Sequence, residues 1–250
     1  MRRLIFAANW KMHLGPEGAA EFFQVFSQRY RQLLDREVWF FPPAVSLKTV
    51  ADLTRDRADV RVGAQNIYWE PKGAYTGELS VSMLTEAGGA AALVGHSERR
   101  HVFGETTDDT AKKVRALLDG GLTPLLCVGE KIEQREAGST LAVVSGQLCA
   151  LNGLDSAVLS RVVIAYEPVW AIGTGKTATP GDAAEVHAAI RRWLVDRGVA
   201  ERDVRVLYGG SVKVDNVGAL VAEPEIDGVL VGGASLDPSA WATIVGAVVD

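Results

Sequence analysis

Cysteine is nearly absent: Cys127 and Cys149 are the only two in 250 residues. Two cannot make a disulfide framework, and their scarcity points to a reducing, cytoplasmic setting. Histidine is sparse as well, at His13, His96, His101 and His187. None shows His-Glu-x-x-His spacing and no cysteine cluster joins them, so no metal site is expected. Long apolar runs are missing too. The start, MRRLIFAANWKMH, has two arginines but only the short run Leu4 to Ala8. A signal peptide needs more, and nothing approaches a membrane-spanning length, so no membrane partner is expected. Positive charge is not in surplus. The net charge of −5 argues against a nucleic-acid surface but leaves room for a local positive pocket. What remains is apolar: 48% of the residues are hydrophobic, enough for a sizeable core and too many for disorder.

The stretch YEPVWAIGTGKTATP, Tyr166 to Pro180, ends its glycine run in Gly-Lys-Thr, like a nucleotide-binding P-loop. The pattern requires a glycine four residues before Gly175, and that position is Trp170. A P-loop lysine also stands at its helix start. Here the next helix opens near Thr179-Pro180, well after Lys176, with Thr179 as N-cap and Pro180 in the first turn. The P-loop reading fails on both counts.

The runs LIFAAN, EVWFF, DVRVGAQ, AALVG, TPLLCVG, RVVIAY, VRVLYG and DGVLVGG are short, β-branched or apolar, and nearly continuous. Such runs suit strands of a parallel sheet covered on both faces. Helical stripes lie between them: Phe22, Phe26, Tyr30 and Leu33; Ala111, Val114 and Leu118; Val186, Ile190, Trp193 and Leu194. Eight strand–helix units in this length predict a (β/α)8 TIM barrel, class α/β, as a single domain over 1–250. A doubly wound open sheet is the alternative. It usually carries G-x-G-x-x-G after the first strand, where this chain has NWKMHLGPEG.

In such a barrel the active site lies at the carboxyl ends of the strands. Strand one ends in Asn9-Trp10-Lys11, strand four in Gly95-His96-Ser97-Glu98, strand six in Glu167, strand seven in Gly209-Gly210-Ser211, and strand eight in Gly232-Gly233. Asn9 and Lys11 share a parity, so along a strand both point the same way. Ser97-Glu98-Arg99-Arg100 reads as a first helical turn, which sets His96 at the positive end of a dipole and favours neutral imidazole. Glu167, between a buried run and Pro168, sits on a defined backbone, as a base requires. The glycine turns after the last two strands fall where these barrels hold phosphate, on backbone N–H groups. Taken singly, Lys11 suits a surface lysine, His96 a structural histidine, Glu167 a salt-bridge partner and the glycines ordinary turns. Together they suit proton abstraction beside a carbonyl in a small phosphorylated sugar, with no cofactor.

The motifs ANWKM at 8–12, GAQN at 63–66, GAYTGE at 73–78, LVGHSERR at 93–100, CVGE at 127–130, AYEPVWAIGTGKTATP at 165–180, YGGSV at 208–212 and LVGGASL at 230–236 run through the whole chain. In that order they resemble the triosephosphate isomerase family. The resemblance implies interconversion of dihydroxyacetone phosphate and D-glyceraldehyde 3-phosphate through an enediol(ate), in glycolysis and gluconeogenesis. It makes Glu167 the base, His96 the electrophile, Lys11 and Asn9 stabilisers of negative charge, and Glu98 an organiser of the site. Gly173, Ser211, Gly232 and Gly233 would hold the phosphate. The family is itself the standard worked case of a glutamate base beside a neutral histidine. Pro168, Val169 and Trp170 become the first hinge of a lid, Ala171, Ile172, Gly173, Thr174 and Gly175 its tip, and Lys176, Thr177 and Ala178 the second hinge.

The stretch AQNIYWEPKGAYTGELS lacks helical or strand periodicity and is long for a barrel loop. Its Tyr68, Trp69 and Tyr75 suit burial against a partner. The resemblance implies a homodimer through Gln65, Asn66, Tyr75 and Thr76, with Thr76 reaching towards Asn9, Lys11 and His96 of the other subunit. Two other functions stay open on this reading: another enzyme on a phosphate-binding barrel, and a non-enzymatic phosphosugar sensor. The first would place different residues at the strand ends. The second would be expected to lack Glu167, His96 or Lys11. Cys127, closing a strand, is expected to be a buried structural thiol.

Overall fold

The computed structural model describes residues 3–171 and 178–247. Eight strands form: β1 (Leu4–Asn9), β2 (Arg36–Phe41), β3 (Val60–Ala64), β4 (Ala91–Val94), β5 (Thr123–Val128), β6 (Val163–Tyr166), β7 (Arg205–Tyr208) and β8 (Gly228–Val231). Each pairs in parallel with the next in sequence, and β8 returns to β1 to close a barrel. Helices fill the connections, giving the (β/α)8 architecture; the open doubly wound sheet is ruled out by the β1–β8 pairing.

Strand parity explains why the runs are apolar throughout. Ile5 and Ala7 point into the barrel with Trp39, Phe41, Leu93, Leu125, Cys127, Val163, Ala165, Leu207 and Leu230. Phe6, Ala8, Val38 and Phe40 point outward to the helices. Both faces of each strand are therefore core, and no residue within the runs needs to be polar. Continuing the inward parity past the strand ends gives Asn9 after Ala7 and Glu167 after Ala165. The first polar side chain on each of these tracks thus meets the top of the barrel.

The outer layer follows the sequence stripes with one exception. Helix Pro16–Arg29 buries Phe22, Phe23 and Phe26 against Trp10 and Phe40, with Trp10–Phe22 and Phe23–Phe40 centroids 4.9 Å apart. Edge-to-face pairs of this kind add about 0.5–1.5 kcal/mol each beyond area burial. Leu33 does not extend that stripe. The helix stops at Arg29, Tyr30 takes an extended conformation, and Leu33 lies on the descent to β2, 38% exposed. Periodicity continues past the point where the chain must turn back to the sheet. Helix Thr107–Asp119 buries Val114 and Leu118. Helix Pro180–Val195 buries Val186, Ile190 and Leu194, and Trp193 packs beside them. The Thr179 hydroxyl accepts from Asp182 N while the Asp182 carboxylate accepts from Thr179 N, both at 3.1 Å, a full capping box. No helix among the described residues is long and apolar enough to cross a membrane.

His187, on the inner face of that helix, is fully buried, edge-on to the Tyr166 ring. Its Nδ1 lies 3.1 Å from the Glu225 carbonyl, which can only accept, so Nδ1 carries the proton. Among the described residues Nε2 has no partner and a second proton there would find no acceptor. Burial accordingly pulls the His187 pKa down to about 3. Unfolded, the ring titrates near pH 6.5, so the unfolded state binds the extra proton first. The stability tied to His187 is therefore complete above about pH 6.5 and is lost as the pH falls towards 3. The expected slope is up to about 1.4 kcal/mol per pH unit. Urea unfolding between these pH values measures it, and His187→Gln should flatten the dependence.

Candidate active site

The carboxyl ends of the strands enclose a cavity of about 280 Å³ lined by Asn9, Lys11, His96, Glu167, Ser211, Gly232 and Gly233, along with Gly209, Gly210 and Lys213. Of the described strand-end residues given a role in the sequence analysis, Glu98 alone is not in this lining; it pairs with Lys11 at 2.7 Å. Of the lid, Ile172, Gly173, Thr174 and Gly175 of the tip and Lys176 and Thr177 of the second hinge lie outside the described residues.

The parity argument for Lys11 needs correcting. β1 ends at Asn9, Trp10 turns into the core, and Lys11 takes a left-handed conformation with φ of 50°. Hydrogen bonds, not strand alternation, hold it there. Lys11 N donates to Asn9 Oδ1 at 3.0 Å, and Gln65 Nε2 donates to the Lys11 carbonyl at 2.7 Å and to the Phe41 carbonyl at 2.9 Å. The Lys11 ammonium then lies beside Gly232, where an added Cβ would stand 3.7 Å from Nζ.

Glu167 is buried. Its carboxylate accepts from Ser97 N at 2.9 Å and Ser97 Oγ at 3.4 Å, and lies 3.0 Å from His96 Nε2. Burial works to raise its pKa. His96, the Ser97 N–H and Lys11 outweigh that and hold it below the ordinary carboxylate value. Its backbone is fixed by Glu167 N donating to the Val128 carbonyl at 2.7 Å. On either side, Tyr166 Oη and Trp170 Nε1 donate to the buried Glu130 carboxylate at 3.1 and 2.9 Å. Gly209 gives it room: a Cβ there would stand 2.9 Å from Glu167 Cγ.

His96 is the N-cap of helix Ser97–His101, and its Nδ1 accepts from Glu98 N at 3.3 Å. Nδ1 is thus unprotonated, and the ring's proton faces Glu167 from Nε2. The helix start alone favours neutral imidazole, and burial likewise pulls the pKa down. With the Glu167 carboxylate and then Glu98 close by, the balance tips upward instead. The expected neutral state therefore depends on where the Glu167 carboxylate sits. The loop carrying His96 is secured by the buried Glu105 carboxylate, which accepts from Gly95 N at 2.8 Å, Arg99 Nε at 3.0 Å and Lys113 Nζ at 2.6 Å.

Sequence reasoning missed one partner of Glu167. Ser97 carried no signal beyond its place after His96, because it acts through a backbone N–H. Lys213, two residues beyond Ser211 on the same turn, was missed as well. Cys127 points into the barrel, fully buried; burial and then the Glu167 carboxylate push its thiol well above the usual range, so it stays protonated. Among the described residues, no three His, Cys, Asp or Glu side chains gather in a metal-ligand set.

The residues proposed for a partner surface lie off this cavity. Gln65 serves Lys11 within the chain. Asn66 accepts from Lys113 Nζ at 2.7 Å and donates to Glu78 at 3.4 Å. Tyr75 stacks within its own loop, 4.5 Å from the Tyr68 ring, which itself lies 4.1 Å from Trp69. Tyr75 remains 41% exposed. Thr76 is exposed.

The family model for triosephosphate isomerase matches residues 4–248. The chain is 48% identical to the triosephosphate isomerase of Solibacter usitatus over 248 residues, 98% of this chain and 99% of that protein. It is 48% identical to that of Roseiflexus castenholzii, covering 98% and 97% of the two chains, and 49% identical to that of Herpetosiphon aurantiacus, covering 98% and 99%. With a barrel closed by β1 and β8 and a carboxylate, an imidazole and an ammonium at its carboxyl face, the chain belongs to the triosephosphate isomerase family.

Proposed function

We propose that Glu167 is the base and His96 and Lys11 the electrophiles in the reaction of this family. The chain interconverts dihydroxyacetone phosphate and D-glyceraldehyde 3-phosphate, a step of glycolysis and gluconeogenesis. Glu167 takes the proton from the carbon beside the carbonyl. The C–H electron pair becomes the carbon–carbon double bond of the enediol(ate), and negative charge gathers on the carbonyl oxygen. Nε2–H of His96 and the Lys11 ammonium meet that charge; pre-aimed donors of this kind contribute about 3–4 kcal/mol each. The former carbonyl oxygen then takes up a proton, the neighbouring hydroxyl gives one up to become the new carbonyl, and return of the proton from Glu167 to the former carbonyl carbon completes the exchange. Asn9 steadies Lys11 through the bond to its backbone N, and Glu98 steadies its ammonium. Ser211, Gly232, Gly233 and Gly173 hold the phosphate, under a lid running from Pro168 to Ala178.

The observation that carries this reading is the contact of Glu167 with both Ser97 and His96 Nε2. The carboxylate must leave them to reach a substrate carbon. Its departure frees the Nε2–H for the substrate oxygen and strips the carboxylate of the donors that depress its pKa, so one movement makes both groups ready. The alternative of a phosphosugar sensor gains no support from a site in which base, imidazole and ammonium all face the cavity.

We also propose a homodimer in the cytoplasm. The chain exposes Met12, Val45, Tyr75, Val102 and Phe103, all in segments that follow the carboxyl ends of β1 to β4. Exposed large apolar side chains of this kind suit burial against a second copy. Gln65, Asn66, Tyr75 and Thr76 belong to this surface, with Thr76 of one copy near Asn9, Lys11 and His96 of the other. Both cysteines are free, which suits a reducing compartment.

Three variants test these roles. Glu167→Asp withdraws the carboxylate by one methylene and should lower kcat about 100-fold, the scale of a 1 Å misplacement, with little change in KM. A near-normal kcat in the coupled triose phosphate assay overturns the assignment of the base. Gly209→Ala should push Glu167 aside, lowering kcat by at least about tenfold while circular dichroism stays unchanged. Thr76→Arg should weaken the dimer and lower turnover; an unaltered dimer in sedimentation, with full turnover, speaks against the interface.

A further inference from the structure

We infer that Lys213 is a further binding residue for the anionic end of the substrate, one that draws the phosphate towards the cavity. The inference rests on the reading that Ser211, Gly232 and Gly233 hold phosphate.

The charges around the cavity motivate it. Lys11 and Glu167 both line the cavity, and Lys11 is bound at 2.7 Å by Glu98. Two carboxylates thus bear on one ammonium, Glu167 from the cavity lining and Glu98 from outside it, where a phosphorylated sugar must deliver more negative charge. His96 does not redress this, because its Nε2 is engaged by Glu167 at 3.0 Å. Lys213 lines the same cavity on its outer side and pairs with no carboxylate among the described residues. It supplies the positive charge the inner end lacks.

Its position is built rather than incidental. The Asn216 side chain closes the turn from both sides: Oδ1 accepts from Lys213 N at 2.8 Å, and Nδ2 donates to the Ser211 carbonyl at 3.0 Å. Val212 between them is buried and anchors the turn in the core. Ser211 and Lys213 are therefore carried by one short rigid piece, and both face the cavity. The serine offers a local hydrogen bond, whereas the exposed lysine offers a charge that acts over the screening length of the solvent. Such a charge raises encounter and capture of a dianion and falls away with salt.

The test is steady-state kinetics on Lys213→Met and Lys213→Arg, with inorganic phosphate as competing anion. At low salt, Lys213→Met should raise KM for D-glyceraldehyde 3-phosphate and the inhibition constant of phosphate together, about three- to tenfold, a modest share of what steering fields produce. The loss falls on KM rather than kcat. It should nearly vanish in about 1 M salt, where the screening length is about 3 Å. Lys213→Arg should behave as the unaltered chain. A folded Lys213→Met protein with unaltered KM, phosphate inhibition and salt dependence overturns the inference and leaves the phosphate cradle standing. If phosphate does not compete with the triose phosphate even in the unaltered chain, the cradle reading falls and this inference falls with it.

Discussion

The pairing of β8 with β1 is the constraint on which the site depends. An open sheet of the same eight strands would hold Asn9, after β1, and Gly232, after β8, at opposite edges. Closure brings them to one cavity and sets the Lys11 ammonium against Gly232. The closed sheet also dictates composition, because residues on both faces of every strand are buried. Polar side chains are displaced to where the strands end, and parallel strands all end on the same side. Chemistry at that face is thus a consequence of burial everywhere else.

Within the face, the electrostatics are arranged as a set of mutual restraints. Glu167 depends on Ser97 and His96, His96 is turned by Glu98 N, and Lys11 is bound by Glu98. Glu167 and His96 each shift the other in the direction of charge, against a burial that favours neutrality. Such coupling holds only while the two touch. The two are therefore a mutually stabilised pair, whose members on the proposed reading become a base and a donor when they separate.

Much of this was legible in the sequence, and the reason differs by residue. The strands were clear because a doubly covered sheet demands unbroken apolar runs. Thr179 announced its helix because an N-cap threonine followed directly by proline is a local signal. Asn9, His96 and Glu167 were found because a polar residue directly after a buried run has few other places to go. Leu33 misled because helical spacing outlasts the helix when the chain must descend to the next strand. Lys11 was found for the wrong reason, since its placement comes from a left-handed turn tied to Gln65, 54 residues further along the chain and at a different strand end. Ser97 was hidden because its shorter contact is made by a backbone N–H, which any residue but proline would supply.

The left-handed backbone of Lys11 has a consequence for how the protein can drift. A residue with a Cβ at φ of 50° gives up about 1–2 kcal/mol relative to its relaxed conformation, a cost that glycine escapes and asparagine partly escapes. A screen for heat-resistant variants would therefore reward replacement of Lys11 early, since relief of that strain needs no new contact. The replacement discards the ammonium beside Gly232. If Lys11 acts as proposed, durability and turnover pull in opposite directions at this position.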